Sequence, residues 1–302
     1  MKNKTYIKII SIQLIAMFLM APVFVFGQDE SVAAEPEKKE EKPVRSPFNA
    51  GTLIESQSYV VFPKKTLVFD MQHRFGEMNN PQFDLFGIYG PSNIRIGLTY
   101  VLFDNFQIGA GTTKNRYLQD INWKYSILQQ TRSNSMPIAL TYYGNWVYDM
   151  SQEQVFGAEY KATNRMSYFN QLILGRKFGK NVAVQVMANY AHFNQIDTIP
   201  TINNKDAADQ KHDNFGIGLA GRIKFSSQGS VLLEYEQPLT TTDNIKPNLS
   251  FGVEWATSSH AFQIFITTYN NLMYQHNMVY NTNDFTDGGM RLGFNITRNW
   301  SF

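Results

Sequence analysis

The sequence predicts an all-β fold: a single antiparallel, up-and-down transmembrane β-barrel of about twelve strands, with both termini in the periplasm. Three observations predict it. Long stretches alternate apolar and polar residues with period two, most regularly the hairpin at 211–237. Short turns alternate along the chain with longer loops. The chain is also 14% aromatic, with 16 Tyr and 23 Phe, as barrels with aromatic girdles are. Mean hydropathy is only −0.31, as expected where polar and apolar strand faces cancel.

In the hairpin, Phe215, Ile217, Leu219, Gly221, Ile223 and Phe225 share one parity. Asn214, Gly216, Gly218, Ala220, Arg222 and Lys224 hold the other. After a turn at 226–229, Val231, Leu233 and Tyr235 alternate with Leu232, Glu234 and Glu236. In a soluble sandwich the charged face would meet water. In a barrel the apolar face meets lipid and the charged face lines the lumen.

Residues 1–27 read as a secretory signal: Lys2, Lys4 and Lys8 precede an apolar core at 9–20, with cleavage expected after Gly27. Its removal takes three Lys and no acid, so the formal net charge of +2 becomes −1. Nothing strongly basic is left to suggest nucleic acid. With no cysteine, a lipoprotein anchor, disulfides and thiolate metal sites are excluded. Residues 28–49 are polar, charged and proline-bearing, and are expected to form a disordered periplasmic tether open to a periplasmic partner. The barrel domain is expected over 50–302. Residues 50–62 fit either a first strand or a segment tucked inside the barrel, and the sequence leaves both open.

From Leu67 the alternation is regular. Leu67, Phe69, Met71 and Phe75 alternate with Val68, Asp70, Gln72 and Arg74. Ile94, Ile96, Leu98, Tyr100 and Leu102 then alternate with Asn93, Arg95, Gly97 and Thr99. Phe106 and Ile108 follow a turn at 104–105, and Ile121, Trp123 and Tyr125 alternate with Asp120, Asn122 and Lys124. Further strands are expected near 138–146, 167–178 (where the alternation is ambiguous), 181–192, 247–256, 260–268 and 288–302. Turns near 104, 131, 179, 227 and 258 are mostly tight. Connections near 83, 157, 202, 242 and 278 are longer, and only a short turn near 115 breaks the rule. Short periplasmic turns against longer external loops are a barrel's signature.

The last strand places Met290, Leu292, Phe294, Ile296, Trp300 and Phe302 on one parity. This resembles the aromatic-ended strand read by barrel-assembly machinery, which makes Phe294, Trp300 and Phe302 the candidate assembly signal. The stretches PVRSPFNAG, FDMQHRFG (69–76) and LFGIYGPSNIRIGLTY (85–100) carry a further likeness. Through them the chain resembles, from about Pro43 to Phe302, a family of outer-membrane β-barrel proteins of the Bacteroidota known only as a domain of unknown function. The resemblance implies the same fold and location, and no activity.

Parity assigns Asp70, Gln72, Arg74, Arg95, Asp120, Lys124, Arg222, Lys224, Glu234, Glu236, Glu254 and Arg291 to the lumen, with Asn93, Asn122, Gln185, Asn189 and Asn295. Acids and bases nearly balance, whereas a selective porin carries a field of one sign. A balanced set fits a salt-bridge network that props or plugs a narrow barrel, or a charge-balanced path for a substrate. The expected function is passage or docking of a small solute or lipid, without catalysis. A closed barrel that binds partners through its loops or tether is the alternative, and a lipid-acting enzyme is a second. Outer-membrane phospholipases carry a His and a Ser two residues apart on the lipid-facing surface; here Asn194 follows His192 and Phe262 follows His260 at that spacing. His73, beside Arg74 and near Asp70, is expected to make a rim or lumen hydrogen bond. Asp206, Asp209 and Asp213 read as one solvated loop. Gly216, Gly218 and Gly221 match G-x-G-x-x-G in a strand rather than at a helix start, so they are read as giving the lumen room. No cofactor or metal is expected. Outer-membrane lipid and the assembly machinery are the expected partners.

Overall fold

The computed structural model describes residues 41–45, 47–78, 84–196 and 210–302. The signal segment, most of the tether, and Asp206 and Asp209 lie outside the described residues. Twelve strands form: β1 (Thr66–Glu77), β2 (Asn93–Phe103), β3 (Phe106–Thr113), β4 (Gln119–Leu128), β5 (Ala139–Tyr148), β6 (Met166–Phe178), β7 (Val182–Phe193), β8 (Asp213–Lys224), β9 (Gly229–Pro238), β10 (Asn248–Ala256), β11 (His260–Thr267) and β12 (Arg291–Ser301). Each pairs antiparallel with its chain neighbours, and β1 pairs with β12, so the sheet closes into a barrel. Lipid offers no hydrogen bonds to backbone groups, and closure satisfies them without leaving an edge.

Register follows the alternation. Ile96, Leu98, Ile121, Phe251, Trp255 and Ile264 stand exposed on the outer face. Their neighbours Gly97, Asp120, Asn122, Ser250 and Glu254 point inward. The least regular stretch, β6, has a physical reason. Its inward face carries Phe169 and Ile173, both fully buried, so polarity no longer marks the two sides.

Thr66 pairs with Ser301, so β1 begins and β12 ends at one rim. That chain-end rim also carries the turns at 104–105, 129–138, 179–181, 225–228 and 257–259. The turn at 129–138 is longer than its companions and is braced by the N-terminal segment through a bridge from Pro43 to Thr131 and a bond from Val44 N to Gln130 O of 2.9 Å. The β1–β2, β3–β4, β5–β6, β7–β8, β9–β10 and β11–β12 connections leave from and return to the opposite loop rim.

The hydrophobic core lies inside the barrel. Residues 50–62 make no barrel strand. They enter from the chain-end rim, turn at 53–56 through a Leu53 N to Ser56 O bond of 2.8 Å, and return. Phe48, Leu53, Ile54 and Tyr59 pack against Ala139, Ile173, Ala183, Met187, Leu232 and Phe265 of the wall. From the loop rim, the 268–290 connection folds inward with a short helix, α1 (Tyr274–Tyr280). Its Met278 and Val279 join Tyr143, Phe169, Ala191 and Phe193 in a second cluster. An isolated helix this short is unstable; contact with the wall holds it.

Candidate functional site: a lumen filled from both rims

Arg74 and Glu55 form the anchor of the N-terminal insert. Arg74 Nε and Nη2 donate to the two Glu55 oxygens at 2.8 and 3.0 Å, and Nη2 also donates to Ile54 O at 3.0 Å. Arg74 Nη1 donates to Asn295 Oδ1 at 3.0 Å, while its guanidinium lies 4.5 Å from the Phe265 ring centroid. Both charges are buried. Removing two charges from water is costly, and a bidentate geometry that engages both carboxylate oxygens offsets part of it.

Lys124 acts on the other arm of the insert. Its Nζ donates to Gly51 O, Ser58 O and Val60 O at 3.0, 3.0 and 3.2 Å. A buried ammonium thus has all three of its donors engaged by backbone that crosses the lumen. Around it, Asn295 Nδ2 donates to Leu53 O and Ile54 O, Gln263 to Thr52 O, Gln185 to Gln57 O, and Thr141 to Tyr59 O. In return Glu55 N donates to Glu234 Oε2 at 3.0 Å, and Asn49 Nδ2 to Glu254 Oε1 at 2.8 Å. The wall is shaped for the insert at Gly175, where a Cβ would stand 2.0 Å from the Tyr59 ring.

The remaining inward charges bond along the wall. Arg95 lies across Gly97 and Gly111 and donates to Asp120 at 2.9 and 2.8 Å; Asn122 and Asn145 also donate to Asp120. Asp70 accepts from Thr297 at 2.8 Å, and Glu236 from Asn189 at 2.9 Å. Arg222 stands 3.8 Å from Glu254 and 5.7 Å from the Phe48 ring, and Arg291 donates to Glu77 at 2.5 Å. Gln72 is buried on the same face, and Lys224 is half-buried at the chain-end rim.

The two inserts meet where Gln57 Nε2 donates to Tyr274 Oη at 2.6 Å. Tyr274 is packed by Tyr143 and Phe169, with ring centroids 5.4 and 5.3 Å away. Gln275 Nε2 donates to Asn145 Oδ1 and Ser167 Oγ. Lys246 and Asp284, 3.3 Å apart, fasten the loop above. Between the inserts and the wall lie small polar spaces, one of about 20 Å³ bounded by Thr52, Gln57, Asp70 and Arg95. A space of that size holds about one water. The large cavity, about 810 Å³, is a vestibule at the chain-end rim.

Several expected site features change with the structure in view. His73 faces outward, stacked on Phe294 at 4.9 Å, away from inward-facing Asp70; an odd residue on β1 cannot share the lumen with even ones. Asp213 opens β8, where it accepts from Tyr190 and contacts His192 Nδ1 at 2.7 Å. Gly216 and Gly218 do clear space, for Met278 and Met187, but Gly221 lies on the outer face. Phe294, Trp300 and Phe302 stand on that outer face too, Trp300 beneath Arg298 at 4.9 Å. Ser259 Oγ lies 3.1 Å from His260 Nδ1, with no carboxylate paired to that histidine among the described residues. Sequence reasoning missed Glu55, Gln263 and all of α1. The one available signal for Glu55 was a lone acid between apolar Leu53-Ile54 and the first strand.

Fold and site together define a class: a membrane-bound β-barrel whose lumen is filled by its own chain. The chain belongs to the family described as a membrane bound beta barrel domain (DUF5777), whose model matches residues 48–300, the insert included. No curated protein matches it in sequence. Among solved structures, the NanC porin is 7% identical with a TM-score of 0.47, covering 78% of this chain and 100% of its own. An outer membrane channel from Pseudomonas putida F1 is 12% identical with a TM-score of 0.48, covering 80% and 98%. Outer membrane phospholipase A from Escherichia coli is 13% identical with a TM-score of 0.38, covering 80% and 94%. At these values no cargo or chemistry transfers to this chain.

Proposed function

We propose that this protein is an outer-membrane barrel, closed at rest, that docks a small solute or lipid and passes it only when the N-terminal insert is displaced, without catalysis. The observation that carries the reading is the grip of Lys124 and Arg74 on an insert lying across the lumen. The chain-end rim faces the periplasm in this reading. Residues 28–49 offer a handle there to a periplasmic partner, and Phe294, Trp300 and Phe302 serve the assembly machinery. The non-catalytic part rests on how the inward polar groups are used. Arg74, Arg95, Asp120 and Lys124 are all committed to structural partners.

The test is single-channel recording from refolded protein in a planar bilayer, with heat-modifiable gel migration as the control for folding. The unaltered chain is expected to be silent. Lys124→Met releases three carbonyls and is expected to give brief openings. Steady steps from the unaltered chain would overturn the closed state.

A further inference from the structure

The vestibule at the chain-end rim and a second cavity beside it adjoin at Val44. The vestibule is walled by Phe48 and by Val60, Val61 and Phe62 of the insert, with Ala139 on β5. The second cavity, about 510 Å³, is lined by Arg45, Arg132 and Lys177 with Gly179. Backbone contacts set its shape: Lys177 Nζ donates to Arg45 O at 2.5 Å, and Arg132 Nε to Pro43 O at 3.0 Å. No carboxylate pairs with any of these three cations among the described residues. Both volumes fall within the roughly 300–1,000 Å³ of small-molecule sites. On the inner wall, by contrast, Arg74, Arg95 and Arg291 each pair with a carboxylate. Here three cations line one cavity with no carboxylate paired to them among the described residues, beside the half-buried side chains of Val60, Val61 and Phe62.

We propose that this rim binds a single-chain anionic amphiphile arriving from the aqueous side: its phosphate or carboxylate head lies among Arg45, Arg132 and Lys177, and its tail against Phe48, Val60 and Phe62. The inference rests on the docking reading above and names the chemical class that docks. Charge complementarity selects an anion, and Arg132 with Lys177 can share its oxygens as charge-assisted donors. The apolar wall selects a tail rather than a free anion. The site also bears on the closure of the barrel, because Val60 and Phe62 belong to the insert. Val60 O is one of the carbonyls that Lys124 holds. An occupant of the vestibule therefore presses on the segment that fills the lumen.

The test uses the full chain in phosphatidylcholine vesicles and spin-labelled lysophosphatidate as probe. Binding is expected to saturate and to fall at least about tenfold in Arg132→Gln/Lys177→Gln, the order of charged hydrogen bonds lost. Val61→Trp, which fills the vestibule, should weaken it while leaving gel migration unchanged. Lysophosphatidylcholine should compete at least about tenfold less well, and inorganic phosphate should not displace the probe. Equal binding to the double variant, or displacement by inorganic phosphate alone, would overturn the proposal. The same vesicles are recorded for conductance. A silent barrel that fails to bind rejects this site and spares the closed-barrel reading; a conducting barrel that binds does the reverse.

Discussion

Arg74 is the residue on which the N-terminal insert depends most. Its guanidinium serves a carboxylate, a backbone carbonyl and an amide side chain at once. Arg74→Ala would leave the Glu55 carboxylate buried and unpaired, which typically costs about 3–5 kcal/mol. That cost falls on the seating of the insert rather than on the strand ladder. Amide hydrogen exchange at 50–59 should therefore accelerate by two orders of magnitude or more, while β6 and β7 keep their protection. A second substitution decides whether charge or packing is at stake. Arg74→Met combined with Glu55→Leu removes both charges and should recover most of the protection, because the desolvation cost disappears with the pair. If the double variant exchanges as fast as Arg74→Ala, the ion pair is not the anchor. Lys124 differs in kind: its partners are carbonyls, so no acid in the sequence could have pointed to its role. Parity placed it in the lumen, and only the path of the insert reveals what it holds.

At the scale of elements, α1 closes the loop rim and carries a titratable group. Burial, with the nearby Arg116 charge, holds His276 down to about 3, while Asp149 pulls the other way. A detached helix would return this histidine to about 6.5. The detached state therefore binds more protons between those values, and seating weakens as pH falls through that window. The loss is at most about 1.4 kcal/mol for each pH unit. Asp284 does not act there. Burial pushes its carboxyl up, but hydrogen bonds from Thr286 and Lys246 bring it below the usual range, so its clasp lasts until pH falls through that lower value. Protection at 274–280, taken against the intrinsic exchange rate at each pH, should fall on going from pH 8 to pH 5, and His276→Phe should flatten that profile; an unchanged profile in that variant would sink the assignment. The strands were legible because a wall between lipid and a polar lumen imposes period two. The inserts were not, because their partners are distant in sequence. Gln275, His276 and Asn277 are polar residues buried in a helix of seven, and they read as loop. Likewise Leu53-Ile54-Glu55 shows no period, since all three side chains are buried, two in the apolar cluster and Glu55 on Arg74.

For the whole molecule, the barrel and its filling are separable. The insert precedes β1, and β1 closes on β12 through a register that begins at Thr66 and Ser301. A chain starting at Pro63 therefore keeps all twelve strand pairings. It loses the apolar cluster around Leu53 and Ile54 and leaves Lys124 facing an opened lumen. Closed ladders with an apolar outer face are sufficient for a barrel in lipid, so the shortened chain should refold with heat-modifiable migration. It should also conduct, and more steadily near pH 5 than near pH 8, where α1 is better seated over the loop rim. A synthetic peptide covering residues 47–63 should close it again. Covalent attachment through a short segment corresponds to an effective concentration on the order of millimolar, so block by the free peptide should need comparable amounts, and a peptide carrying Glu55→Ala should fail. A shortened barrel that folds and stays silent at both pH values would mean that the N-terminal insert is not what closes the lumen.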